Sequence, residues 1–167
     1  MKTNIETMAK AGTREKQFID FCSKIDDKLL AGEKISFKNE DDVFVSVDNS
    51  IVLENEIILI EIDANNYAKL IVGQYTLLNV LRNKPRAKFE EIVKGKELVF
   101  FVVHCYVNDA KGKKYNPERS KKNLGLINRE VFNNEGLKYG CIHIDDIIND
   151  MIDSKEKLLD IIHKNIC

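Results

Sequence analysis

The 167-residue sequence contains no tryptophan and only two prolines, and its 26 lysines and arginines are almost balanced by 27 aspartates and glutamates. The net charge of −1 argues against a uniformly basic protein that binds nucleic acid over its whole surface. No apolar run approaches the ~20 residues that span a bilayer, and the longest one, 98–105, has the length of a strand. Residues 1–16 lack the apolar segment of a secretory signal, so we expect a cytoplasmic protein without a membrane segment.

Cysteine is also scarce, and the four cysteines lie far apart without a CxxC pair. This spacing argues against a disulfide framework. His104 is next to Cys105, and His143 follows Cys141 by two residues, which suggests a zinc site. On strands, however, Cys141 and His143 would share a face while His104 and Cys105 would point to opposite faces. At most three of these ligands could converge, whereas structural zinc normally has four, so we predict reduced cysteines in the core.

The spacing of apolar residues predicts a flexible N-terminal tail over residues 1–12 and a single domain over 13–167. Helices are predicted over about 13–31, 65–81, 85–95 and 120–132, with two short ones capped by Asp145 or Asp146 and by Ser154. Strands are predicted over 43–47, 51–53, 57–63, 98–107 and between Gly136 and Ile144, and a polar loop over 108–122. Because adjacent strands come first and strands alternate with helices later, we expect an α/β fold with a mixed central sheet and helices on both faces.

Three carboxylates lie at the ends of the central predicted strands. Asp48 follows the first strand, and Glu61 and Asp63 alternate at the end of strand 57–63, so that their side chains share a face. Buried carboxylates are costly without a compensating cation, and Mg²⁺ prefers oxygen ligands. The pattern therefore favours a Mg²⁺ or Mn²⁺ site. In the alternative interpretation Asp48 only forms a turn, and Asp63 caps the helix that follows the strand.

Asp48, the segment Glu61-Ile62-Asp63 and a following helix with Lys69 and Gln74 together resemble the PD-(D/E)xK nuclease superfamily, which includes many restriction endonucleases. The core of that family is a leading helix, a strand hairpin with Asp, a strand with (D/E)xK, a helix, and two further strands separated by a helix. The predicted elements follow this order over about 13–145. The resemblance implies a restriction endonuclease-like fold and Mg²⁺-dependent hydrolysis of DNA phosphodiester bonds, and by analogy a homodimer.

The resemblance also implies a role for each matching position. Asp48, Glu61 and Asp63 would hold the metal, although Asp63 stands where most members have lysine. Lys69 would then orient the attacking water or stabilise the transition state, and Gln74 matches a helix glutamine found near the site in several families. From the residues alone, a lysine such as Lys69 is more often a solvated helix residue and a glutamine such as Gln74 more often a packing residue. The missing motif lysine favours the alternative function, a catalytically inactive nuclease-like module that binds nucleic acid or a protein partner.

The near-zero net charge conceals a segregated charge distribution. Residues 82–122 contain 12 basic and 5 acidic residues, a net charge of +7, whereas the rest of the chain contains 14 and 22, a net charge of −8. We predict that this basic segment contacts double-stranded DNA. The predicted contact residues are Lys111, Lys113, Lys114, Tyr115, Arg119, Lys121 and Lys122, together with Arg82, Lys84 and Arg86. An ordinary solvated loop is the alternative.

Overall fold

The computed structural model describes residues 13–108 and 110–167, so the predicted tail over 1–12 lies outside the described residues. The helices are α1 (Thr13–Ile25), α2 (Ala68–Leu81), α3 (Glu90–Val93), α4 (Pro117–Phe132), α5 (Ile144–Ile148) and α6 (Lys155–Lys164). The strands are β1 (Ser36–Lys38), β2 (Phe44–Ser46), β3 (Asn49–Val52), β4 (Glu56–Asp63), β5 (Glu97–His104), β6 (Val107–Asn108), β7 (Lys113–Lys114) and β8 (Lys138–His143). Among these helices, none is long and apolar enough to cross a membrane.

A mixed four-stranded sheet in the order β3-β4-β5-β8 forms the centre of the fold. β4 and β5 are central because they are nearly continuous in apolar residues, as strands covered on both faces are. β3 pairs antiparallel with β4, whereas β4, β5 and β8 are parallel. The register places Asp63, His104 and His143 in one row at the carboxyl end of the parallel strands. In open α/β sheets this is the end where ligands bind.

The two faces of the sheet form two apolar cores. One face, which includes Leu59 and Phe100, packs against α2 and α4. The other face, which includes Ile60 and Phe101, packs against α1, α5 and α6. The predicted mixed α/β architecture with helices on both faces is therefore confirmed.

Several predicted boundaries were wrong, and two of them have clear local reasons. The first helix ends at Ile25 rather than near residue 31, because the Asp26 carboxylate accepts a hydrogen bond from the Lys28 backbone N–H and stabilises a turn. The segment 108–122 is not a continuous loop. It contains the antiparallel pair β6–β7 and the first turns of α4, which starts early because Asn116 caps the helix and Pro117 is its first residue.

Of the two helix caps predicted near the end of the chain, one is confirmed and one was wrong. Ser154 caps α6 as expected, through a hydrogen bond to its hydroxyl from the backbone N–H of Lys157. His143, rather than Asp145 or Asp146, caps α5, because its ring accepts a hydrogen bond from the Asp145 N–H.

Candidate active site

The hairpin β3–β4 brings Asp48 and Glu61 together at one edge of the sheet. Asn49 lies opposite Ile60 in the antiparallel register, so the preceding Asp48 lies beside Glu61. The Asp48 carboxylate is fixed by a hydrogen bond from the backbone N–H of Ile62, at 2.9 Å. The structure thus unites two of the predicted site residues, through backbone pairing that the sequence of the hairpin dictates.

Glu61 is part-buried beside this second carboxylate. Its Oε2 accepts a hydrogen bond from Gln74 Nε2 at 3.2 Å, and the same amide group donates to the backbone carbonyl of Ser46. Burial, followed by the negative charge of Asp48, raises the pKa of Glu61 to about 8, and a backbone hydrogen bond at Asp48 opposes the rise. Glu61 therefore holds a proton at neutral pH when no cation is bound beside it. Gln74, predicted from the resemblance, is the residue that orients this side chain.

Lys34 is the lysine that contacts the carboxylate pair, and sequence reasoning missed it. Its Nζ lies 3.4 Å from Asp48 Oδ1, and its positive charge lowers the pKa of Glu61. The contact depends on β1, whose three residues are too few to show an apolar period. Lys69, which the sequence favoured, is exposed in the first turn of α2 and forms no ion pair with any carboxylate among residues 13–108 and 110–167.

Asp63 lies on the same face as Glu61 but in a separate, buried network. Its Oδ1 accepts a hydrogen bond from the Asn65 N–H at 3.1 Å, and its Oδ2 lies 3.1 Å from Nδ1 of His104. The fully buried His104 ring stacks on Tyr115 with ring centroids 4.2 Å apart, and the Tyr115 hydroxyl lies 3.0 Å from Ser120 Oγ. Both oxygens of Asp63 are thus already engaged by protein groups. Asp63 does not cap α2, because the N-cap residue of that helix is Tyr67.

Within the part of the chain that the structure describes, no group of three or more His, Cys, Asp or Glu side chains is arranged to hold a metal ion. A cation at Asp48 and Glu61 would instead have two carboxylate ligands. Mg²⁺ is commonly bound in this way, since it keeps several waters and uses one or two carboxylates together with substrate phosphate oxygens. The donors present are hard oxygens, which fit Mg²⁺ or Mn²⁺.

The prediction of reduced cysteines in the core is confirmed for three of the four. Cys22, Cys105 and Cys141 are buried, and Cys167 is exposed. Burial raises the pKa of each of the three buried thiols to about 12, so they remain protonated and poor metal ligands.

Basic residues of the β6–β7 hairpin and of α4 lie at the same end of the sheet as the carboxylates, because both follow the carboxyl end of β5. The exposed ones that form no ion pair with a carboxylate of the described residues are Lys111, Lys113, Arg119 and Lys122. Three others are paired, Lys114 with Asp146, Lys121 with Glu118 and Arg129 with Glu130. Tyr115 was predicted to contact nucleic acid, but only 4% of its surface is exposed because it packs on His104.

Arg82, Lys84 and Arg86 lie at the opposite end of the sheet. Helix α2 leads from the carboxyl end of β4 to the amino end of β5, and these residues follow it. Arg82 donates a hydrogen bond to the backbone carbonyl of Glu135, at 2.9 Å. A groove of about 840 Å³ at this end is lined by charges of both signs, which include Arg82, Glu90 and Lys94. The predicted nucleic-acid contacts therefore form two separate surfaces, and only the surface at the hairpin and α4 shares an end with the carboxylates.

No protein-family model, curated protein or solved structure matches this chain. Its function must therefore be inferred from its own side chains.

Proposed function

We propose that this protein is a divalent-cation-dependent nuclease with a restriction endonuclease-like core, which hydrolyses phosphodiester bonds of DNA. One observation carries the proposal. Asp48 and Glu61 lie side by side at the sheet edge, where burial and the Asp48 charge raise the pKa of Glu61 to about 8. Lys34 compensates this negative charge only in part, because 64% of its side chain is exposed and water screens it. A divalent cation would supply the missing charge.

In this proposal Asp48 and Glu61 hold the cation, and neighbouring residues orient them. A bound Mg²⁺ or Mn²⁺ lowers the pKa of a coordinated water and stabilises charge that develops on the phosphate. Gln74 fixes the Glu61 carboxylate through its amide group. Lys34 takes the role that the resemblance implied for Lys69, since its ammonium group lies beside Asp48 and can stabilise the transition-state charge.

The order of the elements supports a restriction endonuclease-like core. Helix α1, the hairpin β3–β4, helix α2, strand β5, helix α4 and strand β8 follow one another as the family core does. In the hairpin, Asp48 directly precedes the first strand, at the end opposite the turn, and Glu61 lies beside it on the second strand. The chain and the family core thus share the order of their elements and the positions of these two acidic residues.

The substrate in this proposal is double-stranded DNA, held by the hairpin and the start of α4. The exposed cations Lys111, Lys113, Arg119 and Lys122 can contact backbone phosphates without first breaking an ion pair to a described carboxylate. Their position at the carboxylate end of the sheet brings a phosphodiester toward Asp48 and Glu61.

A second candidate function is a nuclease-like module that binds nucleic acid without cleaving it. Two observations favour it. Position 63 is an aspartate held by His104 instead of a lysine, and Lys69 is exposed rather than directed at a carboxylate. In this case Lys34 would only neutralise Asp48.

Plasmid cleavage distinguishes the two functions. We expect supercoiled plasmid to be nicked or linearised with Mg²⁺ or Mn²⁺ and to stay intact in EDTA. Glu61→Gln should abolish cleavage, Lys34→Ala should slow it about 100-fold, and Glu54→Gln, an exposed turn glutamate, should leave it unchanged. Plasmid that is bound but not cleaved would favour the binding module. Cleavage that persists in EDTA or in Glu61→Gln would contradict the proposed site.

A further inference from the structure

Helix α2 has an outer face that is unusual for a surface helix. Among its 14 residues Lys69 is the only charged one. Three of its large apolar side chains are strongly exposed, Leu70 at 59%, Leu77 at 39% and Val80 at 63%. The solvent face of an amphipathic helix normally carries polar and charged residues. This face therefore has the composition of a surface that another helix covers.

The exposed positions follow a regular seam. Leu70, Gly73, Leu77 and Val80 are spaced by three, four and three residues, which is the a/d spacing of a two-helix contact. Nothing lies within 4 Å of the position that a Cβ atom would occupy at Gly73, so the seam has an open gap near its middle. The seam offers both a gap and protruding leucines that can fill one.

We infer that α2 is a self-association surface, on which the α2 helix of a second copy of this chain packs antiparallel about a two-fold axis that crosses the exposed face of the helix at the level of residue 75. The seam is symmetric about this residue, since Leu70 and Val80 are each five residues from it and Gly73 and Leu77 each two. In an antiparallel pair Leu77 of one copy therefore enters the gap at Gly73 of the other, and Leu70 meets Val80. A surface that matches itself in this way is the requirement for a two-fold dimer.

The position of charge selects the antiparallel arrangement. In a parallel pair the two Lys69 side chains would face each other. In the antiparallel pair Lys69 lies near the last turn of the opposite helix, where free backbone carbonyls favour a cation. Arg82, at that end of the helix, is turned toward the carbonyl of Glu135. The antiparallel pair thus avoids repulsion between the two Lys69 side chains, and the rest of each seam is uncharged.

We expect exposed apolar residues near α2 to enlarge the contact. Phe44 is 63% exposed on β2, which packs beside α2, and Tyr67 is 67% exposed just before the helix. Stable protein interfaces bury about 1,200 Å² or more in total, which a short helix pair reaches only with such flanking residues. We therefore expect a dimer that dissociates on dilution.

Sedimentation velocity and light scattering of the full chain over a dilution series test this inference. The wild type should have about twice the mass of the 19.2 kDa chain at high concentration. Leu70→Glu and Leu77→Glu should be monomeric at the same concentration, with unchanged circular dichroism because both side chains are exposed. Leu126→Glu, at a 49% exposed leucine of α4, is the matched control and should remain dimeric.

Two results would overturn the inference. One is a wild type that is monomeric at every concentration, and the other is a dimer that both α2 variants leave intact. The readout is mass alone, so it is independent of metal binding and of nuclease activity. Failure of the proposed function would leave it unaffected.

Discussion

The carboxyl group of Glu61 lies where its charged form is disfavoured by burial and by the adjacent Asp48, and where the amide of Gln74 still holds it in place. Its pKa of about 8, well above the ordinary value of 4.5, links the proton on this side chain to the stability of the fold. Functional carboxylates often have such a perturbed pKa, because binding sites bring buried groups of like charge together.

Glu61 should make stability fall as the pH rises. Because its pKa is raised in the folded state, the stabilisation from the bound proton is complete below about pH 4.5 and is lost as the pH rises through about 8. Glu61→Gln keeps a neutral side chain at every pH, so it should flatten this dependence and exceed the wild type in stability above pH 8 by a few kcal/mol. Urea unfolding between pH 5 and pH 9, with Glu54→Gln as control, measures it. Parallel curves for wild type and Glu61→Gln would contradict the predicted linkage.

Asp63 should act on stability and not on metal binding. Asp63→Ala leaves the fully buried His104 without its partner and should lower the free energy of unfolding by about 1–3 kcal/mol. Asp41→Ala, at an exposed turn residue, should change it little. Added Mg²⁺ should still raise the melting temperature of Asp63→Ala, as a ligand bound only to the folded state does. If Asp63→Ala abolished this rise while Asp48→Asn preserved it, Asp63 would be the metal ligand.

Among the elements, the β6–β7 hairpin and the start of α4 set the position of the basic surface. Asn116 and Pro117 begin the helix within a segment rich in lysine, and Tyr115 anchors the hairpin on His104. Lys111 and Lys113 are exposed as a result. The residues that follow α2 form a second basic group at the other end of the sheet, and this separation provides an internal control.

Neutralising the hairpin should weaken DNA binding in a salt-dependent way. Each phosphate contact contributes about 0.9 to the slope of log affinity against log salt concentration. The double variant Lys111→Ala/Lys113→Ala should therefore reduce that slope by about 2. Lys84→Ala/Arg86→Ala, which removes two positive charges at the opposite end, should leave it unchanged. Fluorescence anisotropy with duplex DNA from low to moderate salt measures both, and equal losses would contradict the assignment of the surface.

The accuracy with which an element could be predicted from the sequence depended in part on its length. β4 was predicted to within one residue, because its eight residues carry a clear apolar pattern. The predicted strand 98–107 runs three residues past the end of β5, and the predicted helix 65–81 begins three residues before α2. β1, with three residues, carried no such pattern, and Lys34 was missed with it. The contact of Lys34 with Asp48 depends on the short β1–β2 pairing, and that of Asp63 with His104 joins residues 41 positions apart through the parallel register of β4 and β5. Local periodicity encodes neither. The hairpin pairing of Asp48 with Glu61 could be anticipated because only a turn and two strands separate them.

On the scale of the whole molecule, the fold divides the basic segment of the sequence between the two ends of the sheet. Basic residues occupy both ends of the sheet, while Asp48 and Glu61 occupy one. Only the end with the hairpin and α4 combines cations for a phosphate backbone with carboxylates for a metal. The proposed function depends on that combination, and the carboxylate pair is the part of it that can be measured without a substrate.

Titration calorimetry of Mn²⁺ and Mg²⁺ binding at pH 7, in buffers of different ionisation enthalpy, tests this pair most directly. Because the pKa of Glu61 is about 8, its carboxyl group must lose its proton when the cation binds. We therefore expect a single site that releases about one proton per metal ion bound. Glu54→Gln should behave as the wild type, whereas Glu61→Gln should bind more weakly and release no proton. Absence of binding, or binding and proton release that Glu61→Gln leaves unchanged, would show that Asp48 and Glu61 do not form a metal site.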